Sequence, residues 1–237
     1  MTRSVLEGRI AVVTGGASGL GLAIAEALAS RGTAVYLVSR RADALSEAAE
    51  AIRAAGGRAA YGTADLTEPS APSRVVAGAL EAFGKIDILV NDAGVGVAGP
   101  LLGNEPGEIA RAVDLNLRAP ILLTRAVLPE LLKSVPSEIV NVASVSGLYP
   151  SAESTVYCAT KFGFVGFSRA LSLELRPAGI RVTTLCPGSV DTPVFDALDP
   201  TAPRERRLPA SGAARLLIEA LEAPPEEIHG EITFTHR

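Results

Sequence analysis

The run from Ile10 to Ser30 constrains the fold more than any other stretch. Ile10–Val13 is apolar and rich in β-branched residues, and Thr14-Gly15-Gly16-Ala17-Ser18-Gly19-Leu20-Gly21 follows at once. Leu22–Ser30 is Ala-rich, with Ile24 and Leu28 four apart, and reads as a helix. The order is strand, glycine turn, helix. Such a turn leaves backbone N–H groups unpaired at a helix N-terminus, where they and the helix dipole suit a pyrophosphate. Its glycines allow positive φ and close backbone approach. A tight βα turn without a ligand has the same outline, but the flanking strand and helix favour a dinucleotide. The spacing is TGxxxGxG rather than GxGxxG.

The same alternation continues. Ala34–Val38 reads as a second strand, Ala42–Ala55 as an amphipathic helix stopped by Gly56-Gly57, and Arg58–Thr63 as a third strand. Ser70–Phe83 reads as a helix, Ile86–Val90 as a strand, and Glu138–Val142 and Arg181–Leu185 as two more. Ala210–Glu222 reads as a helix ended by Pro224-Pro225, and Glu231–Thr235 as a last strand. Alternating strand and helix patterns specify βαβ units, a parallel sheet and one domain over residues 1–237. Glu105–Lys133 is helical with Pro120 inside it, which predicts a kink or a restart there. Asn116 precedes that proline, where an Asn side chain can satisfy backbone groups freed by the kink. Pro193–Pro209 has no clear period; it reads as a mobile surface segment and, beyond a strand end, as a substrate lid within about 189–210.

Two features bear on chemistry. Tyr157 and Lys161 stand four apart in a helical run, so the phenol and the ammonium share one face. An adjacent ammonium favours the phenolate, which predicts a Tyr157 pKa below its free value of about 10 and a usable proton donor and acceptor. At the end of the second strand, Ser39 stands where an acid would mark a free ribose, and Arg40 and Arg41 follow. A guanidinium there pairs with a 2′-phosphate, so NADP(H) is favoured, with NAD(H) the other possibility; otherwise the arginines merely solvate the next helix.

Bulk properties exclude other classes. A net charge of −4 shows no basic surplus, which argues against nucleic acid. No apolar run approaches a membrane span, and the N-terminus lacks a signal peptide's pattern, so no membrane and a cytoplasmic location are expected. The two cysteines, Cys158 and Cys186, form no CxxC pair, and the only histidines, His229 and His236, lie in the tail; no metal site is expected. Cys158 reads as a small core residue.

Taken together and in order, TGGASGLG at Thr14–Gly21, Asp65-Leu66, NDAG at Asn91–Gly94, Asn116, Ser144, YCATK at Tyr157–Lys161 and PGSVDT at Pro187–Thr192 resemble the short-chain dehydrogenase/reductase family over nearly the whole chain. The resemblance implies an α/β Rossmann-type doubly wound sheet of seven parallel strands, a homodimer or homotetramer, and a small carbonyl or alcohol substrate. Tyr157 would be the general acid or base, and Lys161 would lower its pKa and hold the nicotinamide ribose. Ser144 would bond the substrate oxygen, and Asn116 would hold a water in a relay to Lys161. Gly15, Ser18, Leu20 and Gly21 would line the pyrophosphate and adenosine ribose. Asp65, Leu66, Asn91 and Ala93 would contact the adenosine side, and Pro187, Val190 and Thr192 the carboxamide end.

Asp92 departs from the family's usual second Asn, a position expected to be chiefly structural. Many NADP-dependent members carry a basic residue where Ser18 stands, which leaves Arg40, with Arg41 beside it, as the expected phosphate ligands. Val95–Val97, Ser146–Tyr149 and Val194-Phe195 are expected to border an apolar pocket suited to a hydrophobic ketone or alcohol. A dinucleotide-binding sensor without turnover is the alternative; it needs the glycine turn but not Asn116, Ser144, Tyr157 and Lys161 together.

Overall fold

The computed structural model describes residues 4–223 and 230–234. Pro224-Pro225, His229, Thr235 and His236, named above as a helix stop, tail residues and a strand end, lie outside the described residues. The chain alternates as expected: β1 (Ile10–Thr14), α1 (Gly19–Ser30), β2 (Ala34–Ser39), α2 (Ala42–Ala54), β3 (Arg58–Thr63), α3 (Ala71–Phe83) and β4 (Ile88–Asn91). There follow α4 (Pro106–Val113), α5 (Ala119–Lys133), β5 (Ser137–Val142), α6 (Thr155–Leu175), β6 (Ile180–Pro187), α7 (Pro193–Leu198), α8 (Ala210–Glu222) and β7 (Glu231–Phe234).

The seven strands form one sheet in the order β3-β2-β1-β4-β5-β6-β7, and every pairing is parallel. A parallel sheet covered on both faces needs strands apolar on both sides. The central strands meet this by alternation. Ala11, Val13, Val35, Leu37, Ile88, Val90 and Val140 enter one core with α1, α2 and α8. Val12, Tyr36, Val38, Leu89 and Ile139 enter the other with α3, α5 and α6. Each fully buried Leu or Ile contributes roughly 1.5–3 kcal/mol, so the two cores supply most of the stabilisation.

At the strands' N-terminal ends the sheet is closed by charge. Asp87 accepts the Ile10 N–H at 2.7 Å, and Glu138 takes Arg181 at 2.7 and 2.8 Å. Arg181 also donates to the Leu221 carbonyl at the end of α8. The opposite edge, at the strands' C-terminal ends, is left to loops. The order of strands reverses between β1 and β4, and a crevice at such a point is where open α/β sheets bind ligands. No described helix is long and apolar enough to cross a membrane.

The restart expected at Pro120 is present: α5 begins at Ala119 with Pro120 in its first turn, after a π turn at Asp114–Arg118 in which the Ala119 N–H bonds the Asp114 carbonyl five residues back. Pro120 has no N–H and crowds the preceding turn, so the regular ladder cannot pass through it. One expectation is corrected: the Pro193–Pro209 stretch is not aperiodic. It holds α7, a 3₁₀ turn at Arg204–Arg206 and a parallel bridge between Val190 and Leu208. Arg207, with its side chain only 2% exposed, pins it by ion pairs to Asp191 and Asp196 and a bond to the Ala202 carbonyl. Its guanidinium also lies 4.8 Å from the Phe195 ring centroid.

Candidate active site

The C-terminal crevice encloses a cavity of about 640 Å³. The glycine turn forms one wall. Gly15 has φ +72°, and a Cβ there would stand 2.9 Å from Asp92 Oδ2 and 3.2 Å from the Ala93 nitrogen. A Cβ on Gly21 would stand 2.7 Å from the Gly15 carbonyl oxygen and 2.6 Å from Asp92 Oδ2. Ser18 precedes α1 in extended conformation and makes no side-chain cap, so the first N–H groups of α1 are not closed off by their own N-cap. The cradle and the uncapped helix end fit a dinucleotide pyrophosphate.

The other wall comes from β5, α6 and the loop after β6. Ser144 follows β5 and accepts the Ser146 N–H at 3.1 Å. Tyr157 and Lys161 are one helical turn apart on α6 and are 4% and 5% exposed. Lys161 Nζ donates to the Val142 carbonyl at 3.0 Å and lies 5.7 Å from the Tyr157 ring centroid. The ammonium therefore sits over the ring and is tethered to β5. Burial pushes the Tyr157 phenol well above its ordinary pKa; the Ser144 hydroxyl beside it pulls back, and Asp92 raises it further. The direction is opposite to the one expected from the Lys161 spacing, and its first cause is desolvation of the phenolate. Lys161 itself is brought down to about 8, mainly by burial, against the pull of Asp92.

Asn116 was expected to satisfy groups freed by the kink in its own helix. Its side chain instead holds the loop after β4. Its Oδ1 accepts the Val95 N–H at 2.8 Å, and its Nδ2 donates to the Val95 carbonyl at 2.9 Å and to Thr160 Oγ1 at 3.2 Å. Asn116 and Lys161 both border a hollow of about 10 Å³ beside the main cavity. That is about the volume of one water-sized sphere.

Of the residues singled out in the sequence, Ser18, Leu20, Ser144, Tyr157, Lys161, Pro187, Val190 and Thr192 line the cavity. Gly15 and Gly21 lie behind its glycine wall. Val95, Ser146, Val194 and Phe195 border it as expected, whereas Tyr149 is 71% exposed and does not. Ser39 accepts the Arg41 N–H at 3.2 Å, and Arg40 lies 4.0 Å from Asp65 with half its side chain exposed. Asp65 is held below the usual carboxylate range by its bonds from Thr67, with Arg40 a smaller contributor. Leu66 is buried, and Ala93 packs against the same core. Asn91 does not reach the main cavity. Its Nδ2 donates to Asn141 and Thr124 at 2.9 and 3.0 Å, in the buried layer between β4, β5 and α5. An apolar strand ending in Asn shows only that a polar side chain is present; the neighbouring strand decides which way it bonds. Cys158 is buried, 3.7 Å from the Ser151 hydroxyl.

Asp92 was read as structural, and the structure gives it more. It lines the cavity, takes the Gly21 N–H, and burial raises its pKa to about 7 against the opposing pull of Lys161. An acid raised above its unfolded value near 3.8 binds more protons when folded, so it withdraws stability as pH rises from about 4 through 7. Lys161, lowered from 10.5 to about 8, adds stability as pH rises above 8. The cofactor-free protein is therefore expected to lose stability between about pH 4 and pH 7. Asp92→Asn keeps an acceptor for Gly21 and removes that loss. The difference in Tm between Asp92→Asn and wild type should grow more favourable to the variant from pH 5 to pH 7.5; a difference flat across that range would refute the assignment. The sequence signal for Asp92 is an acid where the family more often has an amide, in Asn91-Asp92-Ala93-Gly94.

A family profile described as short chain dehydrogenase matches residues 9–203. The chain is 39% identical over 223 residues to 1-deoxy-11-beta-hydroxypentalenate dehydrogenase of Streptomyces exfoliatus, covering 91% of this chain and 80% of that one. Among solved structures it is similar to L-sorbose reductase from Gluconobacter frateurii complexed with NADPH and L-sorbose, with a TM-score of 0.90, 26% identity, and 99% and 98% of the two chains covered. It is also similar to a short-chain dehydrogenase/reductase from Burkholderia phymatum in complex with NAD, with a TM-score of 0.88, 30% identity, and 98% and 90% covered. With the strand order, the glycine cradle and the Ser144–Tyr157–Lys161 cluster, these matches place the chain in the short-chain dehydrogenase/reductase family of oxidoreductases.

Proposed function

We propose that the protein interconverts a carbonyl and an alcohol using NADP(H), with Tyr157 as the proton donor in reduction and the acceptor in oxidation. The observation that carries this reading is the convergence of the Ser144 and Tyr157 hydroxyls and Lys161 at the deep end of a cavity walled by the glycine turn. When bound, the cofactor supplies the hydride that reaches the carbonyl carbon. Ser144 and Tyr157 donate to the carbonyl oxygen, where negative charge develops, and Tyr157 releases its proton there to complete the alcohol. Burial keeps the phenol protonated at neutral pH, which suits the reductive direction. Lys161 holds positive charge beside the oxygen and faces the nicotinamide ribose. The hollow shared with Asn116 suits a water that refills the proton. Pro187, Val190 and Thr192 face the carboxamide, and residues 189–210 close over the substrate as a folded flap. A homodimer or homotetramer in the cytoplasm completes the proposal.

Arg40, half exposed and only loosely paired with Asp65, is free to take a 2′-phosphate. NADPH and NADH oxidation should be followed with a panel of ketones, aldehydes and diketones. The ratio of kcat/KM for NADPH over NADH is expected to exceed about tenfold and to fall about tenfold in Arg40→Ala. Equal efficiency with both nucleotides would overturn the NADP assignment, and failure to bind either would overturn the enzyme.

A further inference from the structure

The flap between β6 and α8 carries three arginines close together, and two of them are engaged. Arg207 and Arg204 share Asp191 and Asp196. Asp199, the other acid of α7's end, accepts from Thr201 and the Ala202 N–H. The Arg206 guanidinium makes no hydrogen bond or ion pair among the described residues, and Arg206 is an exposed residue of the cavity lining, which places it at the rim. Its backbone is not loose. The Arg206 N–H bonds the Pro203 carbonyl at 3.1 Å, the Arg207 N–H bonds the Arg204 carbonyl at 3.0 Å, and Arg207 next to it is buried. The backbone that carries the rim cation is therefore held in place, while its guanidinium has no partner among the described residues. The same cavity is lined by the buried Ser144 and Tyr157 and by the apolar Val95, Val145, Val194, Phe195 and Leu198.

A cavity that combines buried hydroxyls, apolar walls and a cation at its rim selects a molecule that carries the matching groups. We infer that the substrate is an apolar carboxylic acid, with its reacting carbonyl or carbinol at Ser144 and Tyr157 and its carboxylate on Arg206. A planar guanidinium takes a carboxylate through two parallel N–H···O bonds. One cation matches one carboxylate charge, whereas a phosphate dianion would be left half neutralised. This inference rests on the oxidoreductase reading above and extends it to the far end of the substrate.

The test uses two compounds with one carbon skeleton, an alicyclic keto acid and its methyl ester, assayed at saturating NADPH with wild type, Arg206→Gln and Arg206→Lys. Wild type is expected to prefer the acid. In Arg206→Gln the acid-to-ester ratio of kcat/KM should fall by about ten- to a hundredfold, carried by KM, and Arg206→Lys should recover part of it. A ratio that does not change, or a wild-type preference for the ester, overturns the inference. So does a loss that tracks weaker NADPH binding, which would assign the guanidinium to the dinucleotide. Ester turnover reports hydride transfer without the carboxylate contact, so a failure here is distinguishable from failure of the oxidoreductase reading. If neither compound turns over, calorimetric binding of the keto acid to the NADPH complex decides: binding weakened by Arg206→Gln supports the inference, and no binding to wild type overturns it.

Discussion

Tyr157→Phe is expected to lower kcat by about a thousandfold, with NADPH affinity changed by less than about twofold. A thousandfold is about 4 kcal/mol of transition-state stabilisation, within the range for a positioned general acid. The variant removes one oxygen from a side chain that is 4% exposed. The ring keeps its packing, and Lys161 keeps its bond to the Val142 carbonyl and its place over the ring. What disappears is the donor that completes the alcohol. Wild type should also show a direction-dependent pH profile. A phenol raised by burial stays a proton donor through neutrality, so alcohol oxidation, which needs the phenolate, should gain with rising pH while reduction does not. Steady-state kinetics and an NADPH fluorescence titration on the same preparation separate chemistry from binding. Turnover within about tenfold of wild type would remove Tyr157 from the chemistry and reopen the sensor alternative.

Gly21→Ala should have the largest effect on the nucleotide. The added methyl would lie 2.7 Å from the Gly15 carbonyl oxygen, 2.8 Å from its carbon and 2.6 Å from Asp92 Oδ2. The first two are backbone atoms of the turn itself, so relief comes only by opening the turn or shifting α1. Opening it moves the N–H groups proposed to face the pyrophosphate. NADPH affinity is expected to fall by about a hundredfold or more, and overpacking to cost about 1–3 kcal/mol of stability. Gly166→Ala is the matched control. Gly166 lies within α6 with nothing near its missing Cβ, so alanine there should stabilise by about 0.5–1 kcal/mol. Retained NADPH binding in Gly21→Ala would separate the glycine turn from the cofactor.

The largest disagreement between sequence and structure concerns Tyr157. Helical spacing gives the right neighbour for the phenol, since i and i+4 share a face whatever surrounds them. The direction of the pKa shift is set first by burial, with the Ser144 hydroxyl opposing it and Asp92 across the crevice adding to it. Those come from β5 and the β4 loop, far away in the chain. Asn116 teaches the same lesson: the kink near Pro120 follows from local chemistry, but the partner of the side chain is Val95, on another loop.

What the chain determines locally is therefore the alternation of elements, the parallel sheet it implies, the glycine turn and the Tyr157–Lys161 pair. Each is written in periods of two or four residues, or in a glycine spacing, and survives without knowledge of neighbours. The tertiary structure alone decided that Asp92 faces Lys161's charge, that Asn91 bonds Asn141 rather than reaching the main cavity, and that Arg207 is buried against Asp191 and Asp196 while Arg206, one residue earlier, is exposed without an ion pair among the described residues. The physical reason is common to all three. Charge and hydrogen-bonding groups act through what lies within a few ångströms, and at the C-terminal edge of this sheet those atoms come from segments far apart in the chain.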